Sequence, residues 1–166
     1  MKKPKKIFAF IDSQNLHRGV KSQGWDLDWS KFRQYLRNKY KVSRVFVFIG
    51  YKVGNESLYT KMQEMGYIVI LKPTLELPDG TVKGNCDADL VLHAMLKLSE
   101  YFQAIIVSGD GDFHSLIKHL REKNKLKMVL VPDQARYSVL LNDAAAEKIA
   151  FISDQRKKLE YKKAPR

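Results

Sequence analysis

Residues 7–12 read IFAFID, five consecutive apolar residues followed directly by an aspartate. A short apolar run rich in aromatic and β-branched residues predicts a fully buried β-strand, as in the interior of a parallel sheet. Ligands of open parallel sheets bind outside the carboxyl ends of the strands. The segment therefore predicts an α/β fold, with Asp12 at the edge of the sheet where a ligand would bind.

Four more runs of this kind follow along the chain, and segments with helical periodicity separate them. Strands that alternate with helices predict a mostly parallel sheet of five to six strands with helices on both faces. The predicted strands are 7–11, 45–49, 67–71, 104–107 and 128–131, and the predicted helices lie near 28–39, 55–65, 86–100 and around 116–120.

The length of 166 residues corresponds to one domain, which we place at 7–153. The apolar stretch near the N-terminus is too short for a secretory signal, and no run approaches the length that spans a membrane. The single cysteine, Cys86, excludes an internal disulfide and a cysteine-rich zinc site. These features predict a cytoplasmic protein without a membrane partner, and they leave its oligomeric state open.

The net charge of +12 is concentrated at the two ends of the chain. Residues 1–6 contain four lysines, and residues 156–166 contain six Lys or Arg and one Glu. We predict basic tails at 1–6 and 154–166 around a body that is close to neutral. Such tails hold phosphate backbones without reading sequence, or they only keep the protein soluble, and the sequence favours neither role.

The segment 74–85 interrupts the alternation of strands and helices. Pro78-Asp79-Gly80 is a turn signal, and the flanking residues are able to pair as a small hairpin. The hairpin is either a flap beside the ligand-binding edge or a plain surface feature.

Four aspartates are predicted to meet at the carboxyl edge of the sheet. Asp12 ends the first strand, and Asp110 and Asp112 follow the strand at 104–107. Asp87 lies on the buried stripe of the helix predicted near 86–100. Clustered carboxylates repel one another unless a cation lies between them. Hard oxygen ligands favour Mg²⁺ or Mn²⁺, so the pattern predicts a site for one of these ions.

Each aspartate also has a simpler interpretation. Asp12 and Asp112 are both placed to cap the helices that follow them, whereas we assign Asp110 no capping role. Asp87 shares its helix face with apolar residues, where a carboxylate is costly unless it is paired or bound to metal. Asp89 faces the opposite side and is expected to be solvated or to support the site.

Three motifs give the chain a resemblance to a known family. They are FIDSQNL at 10–16, KGNCDADL at 83–90 and SGDGDF at 108–113. Together they resemble the NYN domain, the LabA-like branch of the PIN nuclease superfamily, over roughly residues 6–152. The resemblance implies a PIN-like Rossmannoid sheet and metal-dependent ribonuclease chemistry. It maps the acidic cluster onto Asp12, Asp87, Asp110 and Asp112, with Asn15 as a polar companion.

The chain departs from the family pattern at two places. His93 stands where many relatives carry a further acid, and residues 144–147 read AAAE where relatives often show an Ala-Asp pair. The departure at His93 motivates an alternative function, a non-catalytic RNA-binding or regulatory module of the same fold.

The predicted function is hydrolysis of RNA phosphodiester bonds with Mg²⁺ or Mn²⁺, and the four aspartates are the predicted metal ligands. Asn15 and Ser108 are expected to position the scissile phosphate, while Lys83, Lys72 and the tails hold flanking phosphates of the RNA. Covalent phosphatase chemistry at Asp12 is disfavoured, because the second acid two residues on that such phosphatases use is absent.

Overall fold

The computed structural model of the protein describes residues 4–83 and 85–163, except for the side chains of Val82 and Lys83. Its centre is a six-stranded sheet in which every neighbouring pair of strands is parallel. The strands of this sheet are β1 (Ile7–Asp12), β2 (Val42–Gly50), β3 (Tyr67–Lys72), β6 (Gln103–Val107), β7 (Leu126–Val131) and β8 (Ile149–Phe151).

Seven α-helices occur in the described part of the chain, together with a separate two-stranded hairpin. The hairpin pairs β4 (Leu75–Glu76) with β5 (Val82–Lys83) in antiparallel orientation, as the turn signal in this segment predicted. The helices are α1 (Ser13–Lys21), α2 (Trp29–Tyr40), α3 (Glu56–Glu64), α4 (Asp87–Leu96), α5 (His114–Glu122), α6 (Leu140–Ala145) and α7 (Arg156–Leu159).

The strand order β3-β2-β1-β6-β7-β8 places β1 at the middle of the sheet. From β1 the chain proceeds through β2 to β3 on one side, then returns to β6 and continues through β7 to β8 on the other. The order therefore reverses between β1 and β6, and loops at the carboxyl ends of these two strands diverge to leave a crevice. Asp12 and the segment that follows β6 both belong to this crevice.

Side chains of β1 alternate between the two faces of the sheet, as the period of a strand requires. Ile7, Ala9 and Ile11 join an apolar core beneath α1, α2 and α7, whereas Phe8 and Phe10 join a second core beneath α4, α5 and α6. Both faces are covered, which explains why β1 is a continuous apolar run. Phe10 stacks on Phe46 of the neighbouring strand at 5.3 Å between ring centroids.

The segment that we predicted as a C-terminal basic tail contains a packed element. Within 154–163, Leu159 of α7 is fully buried against α2, and Leu27 forms an isolated antiparallel bridge with Glu160. The lysines of this segment remain exposed around the anchored leucine. A single apolar residue in a run of charges gave no periodic signal, so the sequence did not predict this helix. No helix in the described residues has the length and hydropathy needed to cross a membrane.

We expect Leu159→Ala to lower the free energy of unfolding by about 2–5 kcal/mol, because it leaves a cavity in the core beneath α2. Chemical denaturation of the full chain measures this change. Lys158→Ala, which shortens an exposed neighbour, is the matched control. An unfolding free energy of Leu159→Ala equal to that of the control would show that α7 does not contribute to the core.

Candidate metal centre

Asp12 occupies the last position of β1 and the N-cap of α1 at the same time. Its Oδ1 accepts a hydrogen bond from the Asn15 backbone N–H at 3.3 Å, which satisfies one of the free donors at the start of the helix. The side chain is only 7% exposed. The capping interpretation of Asp12 and its place in the predicted cluster are therefore compatible, since Oδ1 serves the cap while Oδ2 accepts a hydrogen bond from Ser108 in the segment after β6.

The structure reverses the capping roles that we assigned to Asp110 and Asp112. The chain enters a short 3-10 helix at Gly111–Phe113, before α5, and Asp110 is its N-cap. Oδ1 of Asp110 accepts the backbone N–H of Asp112 at 2.8 Å. The turn starts two residues earlier than we predicted, and Asp110 is therefore the residue that precedes the free donors.

Three of the four predicted ligands converge at the crevice. Carboxylate oxygens of Asp12, Asp87 and Asp110 all lie within 4.8 Å of one another. They come from the end of β1, the first residue of α4 and the loop after β6, so three separate parts of the chain build this aspartate trio. The buried stripe that places Asp87 on the inner side of α4 is visible in Leu90 and Ala94, which are buried.

Asp112 lies outside the trio in the part of the chain that the structure describes. Its side chain is exposed, and it stands with Asp87 at the margin of an apolar groove formed by α4 and Phe113. Asp112 therefore lies at the rim of the site, and its backbone N–H donates a hydrogen bond to the Asp110 carboxylate. Its predicted role as a ligand remains a prediction.

Ser108 and Asn15 tie the loop after β6 to the start of α1. The Ser108 hydroxyl donates to Asp12 Oδ2 at 3.1 Å and accepts the Asp110 backbone N–H at 3.0 Å. Asn15 Oδ1 accepts the Gly109 backbone N–H at 2.8 Å. Ser108 is 1% exposed, so its hydroxyl positions two carboxylates, whereas the contact with phosphate that we predicted would require it to leave this network.

Crowding and burial shift the protonation of the trio. Burial raises the pKa of Asp12, although the Asn15 N–H and the Ser108 hydroxyl act in the opposite direction. The pKa of Asp87 is raised to about 6, first by burial, then by the charges of Asp12 and Asp110, with a further contribution from a hydrogen bond to Asp110. Three ionised carboxylates at this spacing are therefore unfavourable without a compensating positive charge.

The trio fits the requirements of a divalent cation. It offers only hard oxygen atoms, which suit Mg²⁺ or Mn²⁺ better than softer metals. A cation among the three would favour the ionised forms that burial and mutual repulsion oppose. The capping bonds at Asp12 and Asp110, together with Ser108, fix the orientation of two of the three carboxylates, as supporting hydrogen bonds do in metal sites.

The lysines predicted to hold flanking phosphates differ in what the structure shows. Lys72, at the end of β3, donates to the backbone oxygen of Asn85 at 2.6 Å and lies 3.6 Å from Asp89 Oδ2. It thereby fastens the segment that leads into α4. The side chain of Lys83 lies outside the described residues.

The position at which the family pattern often has an acid is occupied by a packed histidine. His93 contacts the ring of Phe48 edge-on at 5.3 Å, and Lys97 Nζ lies 3.1 Å from its Nδ1. Burial, followed by the charge of Lys97, lowers the pKa of His93. A neutral imidazole packed on an aromatic ring does not replace a carboxylate in the trio. The two other histidines near the site, His17 and His114, are exposed and half-buried respectively.

Sequence reasoning missed the residues that support the loop after β6 from outside. The Ser138 backbone N–H donates to the Gly109 oxygen at 3.1 Å. A Cβ on Gly111 would lie 2.9 Å from the Ser138 Cβ, and a Cβ on Gly109 would lie 3.1 Å from that of Tyr137. The glycines in the loop were the available signal, since they mark a close approach by another segment.

We expect Ser108→Ala to lower both stability and metal affinity. The change leaves the partly buried Asp110 N–H without its acceptor, which costs at most about 1–3 kcal/mol, and it removes the hydrogen bond that holds Oδ2 of Asp12. Loss of a residue that supports ligands typically reduces metal affinity about 10–100-fold. Titration calorimetry with Mn²⁺ measures the affinity, and Ser13→Ala, which removes a hydroxyl bonded to the Phe48 oxygen, is the matched control. Equal affinity in the two variants would contradict the role of Ser108.

Comparison with known proteins agrees with the sheet and the motifs. A family model for the NYN domain matches residues 6–152. The chain is similar to the "Low amplitude and bright protein LabA" of Synechococcus elongatus, with 24% identity over 173 residues, 98% of this chain and 92% of the relative. It is also similar in fold to VPA0982 of Vibrio parahaemolyticus, a protein of unknown function. That crystal structure aligns with a TM-score of 0.76 and 24% identity over 97% of this chain and 100% of the other.

Proposed function

The chain belongs to the NYN domain family, in the PIN-like nuclease superfamily, and from this premise we propose that it is a metal-dependent ribonuclease. The observation that carries the proposal is the convergence of Asp12, Asp87 and Asp110 within 4.8 Å at the crevice between β1 and β6. The proposed substrate is RNA, and the proposed ion is Mg²⁺ or Mn²⁺.

The residues of the trio have distinct roles in this proposal. Asp12 and Asp110 are ligands whose orientation is fixed before a cation binds, because each is already engaged by a backbone N–H. Asp87 is the third ligand, and its raised pKa disfavours the ionised form that a cation would stabilise. Asp12, Asp87 and Asp110 would hold a divalent cation, which would supply activation of water and neutralisation of charge on a phosphodiester, so no protein nucleophile would be needed.

Residues around the trio serve to place the substrate. Asn15 Oδ1 is occupied by Gly109, which leaves its amide N–H groups as donors toward a phosphate oxygen. We retain Asp112 as an outer ligand at the rim, and Ser108 as the residue that holds Asp12 and Asp110 in register. Lys72 and Lys83 are proposed contacts for flanking phosphates.

The packed imidazole of His93 favours one alternative, a module of the same fold that binds RNA but does not cleave it. Incubation of pure protein with a mixture of single-stranded and structured RNAs, with and without Mn²⁺, separates the two. We expect cleavage only with the metal, and none by Asp110→Asn, which keeps the cap through its amide oxygen. RNA that is bound but left intact under both conditions would support the alternative and overturn the ribonuclease proposal.

The exposed lysines around α7 are expected to contribute affinity for RNA without contributing to catalysis. Replacing Lys157, Lys158, Lys162 and Lys163 by glutamine should make the dependence of affinity on salt shallower, by up to roughly 0.7 in log–log slope for each lost phosphate contact. Leu159 stays in place, so the core is unchanged, whereas a deletion after residue 154 would remove it. Fluorescence anisotropy across a salt series provides the measurement. An unchanged slope would mean that these lysines only solubilise the protein.

A further inference from the structure

A cleft of about 240 Å³ opens beside the aspartate trio, between α1 and the loop after β7. Two arginines line it, Arg18 of α1 and Arg136 of the loop. Its other polar residues are Asn15, Ser22 and Asp133. We call this feature the arginine cleft.

The walls of the arginine cleft are held together by direct contacts. A Cβ on Gly19 would lie 2.6 Å from Pro132 Cβ, so only glycine permits this approach of α1 to the loop. Gln23 Nε2 donates to the backbone oxygens of Gly19 and Pro132, at 2.7 and 3.1 Å. The cleft is therefore a built feature of the fold, present before any ligand arrives.

Asp133 secures the loop that carries Arg136. Its Oδ1 accepts the Ala135 backbone N–H at 2.9 Å, and its Oδ2 accepts the Ser22 hydroxyl at 3.2 Å. The carboxylate is 7% exposed and both of its oxygens are engaged. Asp133 opposes an anionic ligand by its charge, but the two arginines outweigh it and leave the cleft with a net charge of about +1.

Neither arginine has an ion-pair partner within the described ranges 4–83 and 85–163. A single exposed arginine of this kind is usually a solvated surface charge. Two that line one cleft from separate segments offer two guanidinium groups, each with planar donors that suit the oxygens of a phosphate group.

Asn15 connects the arginine cleft to the aspartate trio. Its backbone N–H donates to Asp12 and its Oδ1 accepts the Gly109 N–H, while the residue also lines the cleft. A strand of nucleic acid that runs from the trio into the arginine cleft would therefore pass over Asn15, and the charge of Arg18 already acts on the pKa of Asp12.

We propose that the arginine cleft binds the RNA phosphate next to the scissile one, through Arg18 and Arg136. This inference rests on the proposed function and specifies how the substrate is placed. The volume is below the roughly 300–1,000 Å³ of pockets that enclose drug-sized ligands, so the cleft holds a phosphate with part of its sugar, and the base remains outside.

The test measures binding of a fluorescein-labelled single-stranded RNA to the full chain without divalent metal, so that it does not depend on cleavage. Arg18→Gln/Arg136→Gln should bind about tenfold or more weakly, because charge-assisted hydrogen bonds are lost, and with a salt slope shallower by roughly 0.7. Arg37→Gln is the matched control, since Arg37 is exposed at the end of α2 that leads into β2, at the opposite edge of the sheet.

The kinetic experiment uses Arg136→Gln alone, because the charge of Arg18 also lowers the pKa of Asp12. We expect a higher KM, a kcat close to that of the wild type, and an unchanged thermal shift on Mn²⁺ addition. If the wild type does not cleave RNA, the binding experiment still tests whether the arginine cleft binds RNA. Affinities of the double variant and of Arg37→Gln that agree within twofold would overturn the inference.

A free anion is the other source of a phosphate group, and a second titration separates it from the strand. Inorganic phosphate and a 5′-mononucleotide should compete only weakly with the labelled RNA. Competition at the same concentration as unlabelled RNA, lost in the double variant, would assign the cleft to a small phosphorylated ligand and overturn its assignment to RNA.

Discussion

Asp87→Asn is expected to make the metal-free protein more stable at pH 7.5, with a midpoint of thermal unfolding about 2–8 °C higher. The pKa of Asp87 is about 6 in the folded chain, against about 3.9 for an unperturbed aspartate. Between these values the unfolded chain releases a proton that the folded chain retains, so stability falls as pH rises through the window from about 4 to about 6. The variant has no carboxylate at this position and escapes that loss.

The magnitude follows from the shift after allowance for solvent. A shift of about two units corresponds to at most about 3 kcal/mol, and we take about 1–2 kcal/mol because Asp87 is only partly buried. Each kcal/mol moves the midpoint by roughly 2–4 °C in a chain of this size.

Saturating Mn²⁺ should reverse the order of the two proteins. At one hundred times its dissociation constant, a ligand of the folded state adds about 2.7 kcal/mol to the wild type, whereas Asp87→Asn lacks one of the three carboxylates. Differential scanning calorimetry with and without Mn²⁺ records both effects. Asp154→Asn, at an exposed position, should shift neither midpoint. A metal-free Asp87→Asn that unfolds below the wild type would identify Asp87 as a structural residue.

Asp12→Asn is expected to reduce Mn²⁺-dependent cleavage of RNA by more than about 100-fold. Residues that only support a metal ligand cost about 10–100-fold when they are lost, and Asp12 is proposed as a ligand itself. Asn still accepts the Asn15 N–H through its amide oxygen, so the cap and the fold should persist. RNA affinity and its salt dependence should stay close to the wild-type level, because the lysines and arginines outside the trio are proposed to supply most of the electrostatic attraction.

Asp112→Asn provides the graded comparison in the same assay. Asp112 is exposed at the rim, outside the trio, and we expect a loss of about tenfold. Single-turnover cleavage at saturating RNA measures both variants. If Asp12→Asn retained more than a tenth of the wild-type rate, the trio would not be the catalytic centre.

The five predicted strands are present in the structure because each is an uninterrupted apolar run that needs no tertiary information to recognise. β8 has only three residues, Ile149–Phe151, which is too short for such a signal, and the sequence left the number of strands at five or six. α7 was hidden in a run of charges. The predicted helix near 86–100 ends earlier, at Leu96, although Leu98 still packs against the core.

The meeting of Asp12, Asp87 and Asp110 was predictable because strand ends and one helix face determine it. The position of Asp112 was not, because the 3-10 turn that starts at Gly111 sends its side chain outward. The arginine cleft was also beyond the sequence. Arg18 and Arg136 meet only because Gly19 lets α1 approach Pro132, and that contact spans most of the chain.

The trio draws one carboxylate from β1, one from α4 and one from the loop after β6, on both sides of the reversal in strand order. It therefore exists only while the middle of the sheet is intact, and its ligands disperse in any state in which β1 and β6 separate. A bound cation should slow amide hydrogen exchange in these central strands. The expected factor is the one that corresponds to the free energy of unfolding that the cation adds. Exchange in β8 and α7, which contribute no ligand and open by local fraying, should be unaffected.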